Sequence, residues 1–170
     1  MRFPNIEWPE TWRLSRLRGL DGDLRSFLFK LLHGLLPTQE KLQKYKRDNN
    51  DGLCILCRSE RDSFIHSFFL CSYNSEARSN IIEYGRVLIP QLNMDGVLFL
   101  QLGGNLSSEK ELAVVYLIAI GLKFIWETRL EKKRVQLFKM RAELEARISL
   151  LRRTKFSNVG LLMEEMLNNN

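Results

Sequence analysis

The three cysteines of this chain all lie between positions 54 and 71, and they enclose one of its two histidines. Their order is Cys54-x2-Cys57-x8-His66-x4-Cys71. A two-residue gap lets a tight turn aim two thiolates at one metal ion, and the longer loop brings back a second pair of ligands. Three cysteines and one histidine make a closed tetrahedral set with no position left for a catalytic water. The sequence therefore predicts a structural zinc site formed by Cys54, Cys57, His66 and Cys71.

Two other interpretations of the cysteines remain open. A disulfide would leave one thiol over, and the start of the chain, MRFPNIEWPETWRL, lacks the apolar core of a secretory signal. Inert buried thiols are the second alternative, because free cysteine packs as a small apolar residue. The other histidine, His33, lies far from the cysteines along the chain, and we predict that it is a packed or capping residue. We expect an intracellular protein, with nucleus and cytoplasm both open.

Outside the cysteine cluster, apolar residues recur at helical spacing, which predicts a mainly α fold class. The predicted fold is a small helical domain with an embedded Cys3His zinc knuckle and one long C-terminal helix. A first helix covers DLRSFLFKLLHG, with Asp21 or Asp23 as its N-cap and Gly34 as its stop. A second, short helix has Thr38 as its N-cap and carries basic residues as far as Arg47 near its end.

The longest helix is predicted in the C-terminal part of the chain. Ser108 and Glu111 form a capping box directly before an apolar run, and apolar residues then recur in steps of three and four without a proline. We predict one helix from Ser108 to about Arg152, with Gly121 as the position of any kink or break. Its first half is apolar all round, so we expect Leu112–Trp126 to be the core on which the first helix packs. Its second half is amphipathic and basic.

The predicted organisation is a single helical domain over 1–170. There is no internal repeat, and no apolar run reaches the roughly 18 to 20 residues that a bilayer requires. The predicted segments are N-terminal helices at 1–52, the zinc knuckle at 53–72, a connecting helix and a short segment at 75–106, the long helix at 107–153, and a short terminal helix and tail at 154–170. If zinc is lost, we expect the knuckle to unfold locally, because the long helix has an apolar face of its own.

Positive charge is concentrated in two segments of the chain, which as a whole carries a net charge of +6. Lys123–Lys155 contains eleven Lys or Arg against four Glu, and Arg13–Arg47 contains nine against three acidic residues. Such clustering suits a phosphate backbone, although a solvated helical face gives the same pattern. The candidate phosphate contacts are Lys132, Lys133, Arg134, Lys139, Arg141, Arg147, Arg152 and Arg153. The partner expected from this pattern is single-stranded RNA or DNA, bound with little sequence preference.

Phenylalanines near the knuckle are candidates for stacking on unpaired bases, namely Phe64, Phe68 and Phe69. We favour the alternative that they pack the zinc module onto the first helix, since FFL directly precedes the ligand Cys71. Trp126 lies on an apolar stripe, and we predict that it belongs to the core.

Set in chain order, these pieces resemble the C-terminal region of reverse transcriptases from LINE-type (non-LTR) retrotransposons. The segments that carry the resemblance are RSFLFKLLHGLLPTQEKL, the Cys-x2-Cys pair, HSFFLC, and IWETR followed by basic residues. In that family an arginine-and-aromatic helix, a Leu-Pro-Thr turn, a Cys-Cys-His-Cys zinc knuckle and a long C-terminal helix lie downstream of the polymerase. By this resemblance, which covers about Leu17–Met166, Leu36, Pro37 and Thr38 match the turn. Trp126 and Arg129 match the helix motif.

The resemblance implies a nucleic-acid-binding zinc-knuckle domain of a retroelement reverse transcriptase. Such a domain would hold template RNA or target DNA during target-primed reverse transcription, with the reverse transcriptase core as a partner. The sequence contains no Tyr-x-Asp-Asp polymerase motif, no paired catalytic carboxylates and no nuclease site, so we expect no enzyme activity from this chain by itself. The alternative is a non-catalytic, zinc-stapled helical protein-interaction module whose basic helix docks an acidic partner or self-associates.

Overall fold

The computed structural model describes residues 6–45, 51–103 and 106–169. The α-helices in these ranges are α1 (Trp8–Leu14), α2 (Gly22–Leu32), α3 (Gln39–Lys44), α4 (Ser75–Arg86), α5 (Met94–Phe99), α6 (Ser108–Leu130), α7 (Leu137–Leu151) and α8 (Ser157–Asn168). A π-helical turn at His66–Leu70 and a 3₁₀ turn at Ser72–Asn74 follow the cysteine loop. Over the same residues no strand forms, and a single antiparallel bridge joins Leu53 to Arg61. The mainly α prediction is confirmed.

Helix α6 lies at the centre of the fold and is buried around nearly its whole circumference. Helices α2, α4, α7 and α8 all pack against it. The phenolic oxygen of Tyr116 lies 2.6 Å from the carbonyl oxygen of Gly19 and 2.9 Å from Oδ1 of Asp21, which fixes the start of α2 on α6. The prediction that Leu112–Trp126 is the core on which the first predicted helix, α2, packs is confirmed.

Replacing Trp126 by Ala is expected to lower the free energy of unfolding by about 3 to 5 kcal/mol, since it leaves a large cavity in this core. The indole is only 5% exposed and stacks on Phe68, with 5.8 Å between the ring centroids. Urea unfolding at saturating zinc measures the loss. The matched control is Leu130→Ala, because Leu130 ends the same helix but is 52% exposed. A loss for Trp126→Ala no larger than that of this control would contradict the prediction.

The prediction of one long helix from Ser108 to about Arg152 is wrong. Helix α6 ends at Leu130, where Lys132 adopts the left-handed conformation with φ of 56°. The N–H of Lys132 donates to the carbonyl of Arg129 at 2.9 Å, and the N–H of Lys133 donates to that of Thr128 at 3.1 Å. This pair of bonds is the Schellman arrangement that ends helices.

The reversal after α6 has a simple physical reason. The apolar stripe of α7 would extend into solvent if the helix continued straight. After the turn it packs back against α6 and α8. The buried residues of this returning segment are Val135, Met140, Leu144, Ile148 and Leu151.

Gly121, the predicted position of a kink, lies inside an unbroken α6. A Cβ atom at this position would lie 2.5 Å from Cδ1 of Ile81. Glycine is therefore needed for the close approach of α4 to α6 and not for a bend.

Helix α2 begins and ends where the sequence predicts. Asp21 is its N-cap, and Gly34 has a φ of 60° just beyond its last turn. The N–H of Gly34 donates to the carbonyl of Leu31 at 2.9 Å, and the N–H of Leu35 donates to that of Lys30 at 2.7 Å. This is a second Schellman arrangement, with glycine at the left-handed position.

The starts of α3 and α6 differ in how well they were predicted. Thr38 is the N-cap of α3, as predicted, whereas Arg47 lies outside the described residues. The N-cap of α6 is Ser107 rather than Ser108, and its Oγ accepts a hydrogen bond from the N–H of Lys110 at 3.4 Å.

Two further helices complete the architecture. The apolar periodicity did not predict α1, although Pro9 in its first turn is a typical helix-start residue. Helix α8 is the predicted short terminal helix, and it packs across both α6 and α7. None of the helices described here is both long enough and apolar enough to cross a membrane.

Candidate metal centre

Cys54 and Cys57 are presented by a short loop that folds back on itself. The N–H of Cys54 donates to the carbonyl of Glu60 at 2.8 Å, beside the bridge that joins the two arms of the loop. At the tip, the N–H of Arg58 donates to the carbonyl of Cys54 at 3.0 Å, and Arg58 takes the left-handed conformation with φ of 57°. The tight turn holds both thiols close to the same point.

His66 and Cys71 are brought together by the π-helical turn at His66–Leu70. The N–H of Cys71 donates to the carbonyl of His66 at 2.9 Å, a bond between residues five apart that is characteristic of a π turn. The hydroxyl of Ser63 accepts a hydrogen bond from the N–H of His66 at 3.1 Å and caps the turn. The five-residue spacing of the second ligand pair is therefore the spacing that this turn requires.

The four ligand atoms converge on one point. All of them lie within 4.8 Å of one another, with 3.9 Å between Sγ of Cys54 and Sγ of Cys71 and 3.3 Å between Sγ of Cys57 and Nε2 of His66. Tetrahedral zinc, with Zn–S of about 2.3 Å and Zn–N of about 2.0 Å, requires S···S of about 3.8 Å and S···N of about 3.5 Å. The geometry fits zinc, and the Cys54–Cys71 distance is far too long for a disulfide.

Three of the ligands are enclosed by the fold. Cys54, Cys71 and His66 are buried, and Cys57 is half-buried at the edge of the site. Burial disfavours the thiolate of Cys57, but hydrogen bonds from Ser59 and the backbone of Glu60 outweigh it and lower its pKa to about 6. Burial raises the pKa of Cys71 to about 12. Because a coordinating thiol is deprotonated, zinc binding here releases protons and weakens in acid.

The knuckle loop contains a buried carboxylate, Asp62, that joins four parts of the fold. Its Oδ2 accepts hydrogen bonds from the guanidinium of Arg129 in α6 and, at 2.6 Å, from the N–H of Gln39 at the start of α3. Its Oδ1 accepts a hydrogen bond from the hydroxyl of Ser67 in the π turn at 2.8 Å. Both members of the ion pair are buried, with 0% exposure for Asp62 and 1% for Arg129. Asp62 thus ties the zinc loop to α3 and α6.

Arg129 is held by an aromatic ring as well as by this carboxylate. Its guanidinium carbon lies 4.7 Å from the centroid of the Trp126 ring, which in turn stacks on Phe68 of the π turn. Nε and Nη1 of Arg129 have no hydrogen-bond partner among the described residues. Asp62 and Phe68 thus join the knuckle to the Trp-Arg helix motif and to Gln39, the residue that follows the Leu-Pro-Thr turn.

The phenylalanines of the knuckle pack into the protein. Phe68 is 0% and Phe69 is 4% exposed, and half-buried Phe64 lies against Phe68 with 5.4 Å between the ring centroids. The prediction that Phe68 and Phe69 are packed is confirmed, but the ring contact of Phe68 is with Trp126 of α6 and not with the first predicted helix, α2. Their rings are not available to stack on bases.

The predicted phosphate-contacting residues fall into three groups. Lys132, Lys133 and Arg134 lie in the turn between α6 and α7, which we call the basic turn, and all three are exposed. The second group lies on α7 and consists of Lys139, Arg141 and Arg147. The third group, Arg152 and Arg153, lies at the C-terminal end of α7. The prediction that the basic turn forms part of a helix is wrong, because these residues lie beyond the Schellman arrangement that ends α6.

Several of these cations are paired on the surface. The exposed pairs are Lys133–Glu131 at 2.8 Å, Arg134–Glu76 at 3.9 Å, Arg141–Glu145 at 2.9 Å and Arg152–Glu164 at 2.8 Å. Arg147 differs, because it is only 19% exposed and pairs with Asp21 and Asp23. It therefore fastens α7 to the start of α2. Among the described residues, Lys132, Lys139 and Arg153 have no ion-pair partner.

Sequence reasoning missed Asp62 and the exposed rings of α1 and α2. Asp62 lies between the ligands Cys57 and His66, where an acidic residue next to a serine is the only local signal. His33, predicted to be a packed or capping residue, is the C-cap of α2; it is exposed and lies against Trp12 of α1, with 4.7 Å between the ring centroids. Such pairings between helices leave no local pattern in a sequence.

Comparison with known proteins concerns the segment that holds the ligands. A family model described as zinc-binding in reverse transcriptase matches residues 18–77. The match includes all four ligands and Asp62, and it ends before α6. No curated protein and no solved structure shows a significant match. Residues 18–77 of this chain are therefore a zinc-binding segment of the kind found in reverse transcriptases.

Proposed function

We propose that the chain is a non-catalytic, nucleic-acid-binding region of a LINE-type retroelement reverse transcriptase. It holds template RNA or target DNA near the polymerase during target-primed reverse transcription. Zinc supports this role structurally, by fixing the loop that carries Asp62. The observation that carries the proposal is that the zinc knuckle and the basic turn lie at the same end of α6.

Three contacts support this juxtaposition. Arg129, in the last turn of α6, pairs with Asp62 of the knuckle loop, and Trp126 stacks on Phe68. Arg134 of the basic turn lies 3.9 Å from Glu76 in α4, the helix that directly follows the knuckle. The knuckle therefore supports the end of α6 from which the exposed cations project.

The surface beside the basic turn suits a phosphate backbone. A cavity of about 190 Å³ opens there, and its wall includes Lys133, Arg134 and Lys139 together with Glu127 and Glu131. Lysine and arginine that contact phosphates release condensed counterions, so binding is salt-dependent and largely independent of sequence. Tolerance of this kind suits a domain that must hold many different template sequences.

Replacing Lys132, Lys133 and Arg134 together by Gln is expected to weaken binding to single-stranded RNA and DNA about equally for all sequences. The slope of log Kd against log salt should fall by up to about one unit for each phosphate that the variant no longer neutralises. The fold should be retained, because exposed ion pairs contribute at most about 1 kcal/mol each. Fluorescence anisotropy with the full chain, at several salt concentrations and with oligonucleotides of different sequence, measures both effects.

A matched control removes the same charge from exposed positions near the opposite end of α6, through Arg18→Gln, Lys110→Gln and Lys155→Gln. The proposal expects this control to keep more affinity than the basic-turn variant. Equal weakening by the two triple variants would mean that only net charge matters. Parent-like affinity of the basic-turn variant at both low and high salt would instead favour a protein-interaction module.

A further inference from the structure

Four aromatic rings of α1 and α2 form a continuous series on the surface, which we call the aromatic ladder (Trp8, Trp12, His33 and Phe29). Trp8 stacks on Trp12 with 5.7 Å between the ring centroids, and Trp12 stacks on His33 at 4.7 Å. His33 lies against Phe29 at 4.2 Å. The inner end of the ladder is fixed by Phe99, whose ring lies 6.0 Å from that of Trp8 in an edge-on contact.

The outer rings of the ladder are not used to build the core. Helix α2 buries a separate face, formed by Leu24, Phe27, Leu28 and Leu31. Phe29 is 49% exposed, His33 is exposed, and both tryptophans are half-buried. Part of the ring surface is therefore open to solvent in a row that crosses from one helix to the next.

Cations lie near the ladder residues along the chain and in the wall of an adjoining cavity. Arg16 follows Trp8 and Trp12 at intervals of four residues, and Lys30 follows Phe29; both cations are exposed and have no ion-pair partner among the described residues. A cavity of about 390 Å³ lies beside the ladder, and its wall includes Trp8, His33 and Lys41.

Two of the acidic groups near the ladder have a cation beside them. Glu40, in the wall of the same cavity, pairs with Lys44 at 3.0 Å. Glu10 of α1 lies near Arg13 and contributes to raising the pKa of that guanidinium, after the larger effect of its hydrogen bonds to Glu111. Glu7 and Glu10 form no ion pair among the described residues, so the positive charge open to an anionic ligand lies on the α2–α3 side of the ladder, at Lys30 and Lys41.

We propose that the aromatic ladder is a stacking platform at its open end, where an unpaired base of a single-stranded nucleic acid stacks on Phe29 and continues the series, with Lys30 and Lys41 contacting the flanking phosphates. A terminal ring of this kind stacks on the face of any base, so the platform is sequence-tolerant, and the interior of a duplex offers it no unpaired base. The inference rests on the proposed function and adds a contact of different chemistry from that of the basic turn. It assigns base stacking to Phe29 of α2 instead of the buried phenylalanines of the knuckle.

Two single substitutions test the platform. Phe29→Leu keeps an apolar side chain but removes the ring, and His33→Ala removes the ring between Trp12 and Phe29. Each is expected to lower the affinity for an unstructured oligo(U), relative to a duplex of equal length, about tenfold. His33→Phe restores a ring and should bind oligo(U) more tightly than His33→Ala. Leu161→Ala is the control, because Leu161 on α8 has the same exposed fraction as Phe29, 49%.

The outcomes separate this inference from the proposed function. Parent-like oligo(U) affinity in both Phe29→Leu and His33→Ala would overturn the platform and leave this face for a protein partner. That result would not affect the salt dependence assigned to the basic turn. A second outcome is that the ring variants lose oligo(U) affinity while the basic-turn variant binds as tightly as the parent. It would support the platform and overturn the assignment of nucleic-acid binding to the basic turn. A parent that binds no nucleic acid would overturn both.

Discussion

Removing zinc is expected to lower the melting temperature by more than about 10 °C, because the knuckle supports the core as well as itself. A loss of only 4 kcal/mol shifts the midpoint of a protein of this size by about 8 to 16 °C. Structural zinc contributes about 10 to 16 kcal/mol in zinc-finger peptides, as much as the entire stability of a typical domain. Without the knuckle, Trp126 loses its stacking partner Phe68 and Arg129 loses Asp62. This effect is larger than the local unfolding expected from the sequence.

The measurement combines elemental analysis, which should find one zinc per chain, with thermal unfolding before and after treatment with EDTA. Cys71→Ser is the matched variant, since it removes one ligand without changing the volume of the site greatly. Its melting temperature should already be low and should respond little to EDTA. Protein that contains no metal, and whose melting temperature is the same with and without EDTA, would contradict the prediction.

Replacing Asp62 by Ala is expected to cost about 3 to 5 kcal/mol, the usual effect of breaking a buried ion pair from one side. The substitution leaves the guanidinium of Arg129 buried without a countercharge. It also leaves the hydroxyl of Ser67 and the N–H of Gln39 without the carboxylate that accepts their hydrogen bonds. Urea unfolding at saturating zinc measures the loss and separates it from an effect on the metal.

A double variant, Asp62→Leu with Arg129→Met, tests the cause. An apolar pair that replaces a buried ion pair is often neutral, so this variant should be more stable than Asp62→Ala. Glu111→Gln is a further control, because its partner Arg13 is 51% exposed and the pair is expected to contribute no more than about 1 kcal/mol. If Asp62→Ala loses no more than Glu111→Gln, the buried pair does not couple the knuckle to α6.

The sequence predicted features whose determinants are local. The ligand set follows from spacings of two, eight and four residues, and the end of α2 follows from Gly34. The end of α6 uses the same Schellman arrangement, but Lys132 takes the left-handed position that glycine usually occupies. A left-handed lysine costs roughly 1 to 2 kcal/mol, and here the burial of the apolar stripe of α7 compensates for it. Only the tertiary structure reveals that compensation.

Features that depend on distant residues could not be predicted from periodicity. Asp62 and Arg129 are 67 positions apart, and the resemblance to reverse transcriptases indicated the arginine without its partner. Trp12 and His33 belong to different helices, and α1 has too few turns to give a clear apolar stripe. The sequence predicted that the cations lie along one helix. Because the chain reverses after α6, they lie instead in a turn, on α7 and at the end of α7.

The burial of most of α6 has a consequence for how this zinc-binding segment can be transferred between genes. The segment that recurs among reverse transcriptases, residues 18–77, places its innermost ring against Trp126 and its buried carboxylate against Arg129, both of which come later in the chain. A gene fusion that transferred only that segment would separate Phe68 and Asp62 from the helix that they contact. In this chain, a piece that keeps these contacts therefore extends at least to the end of α6.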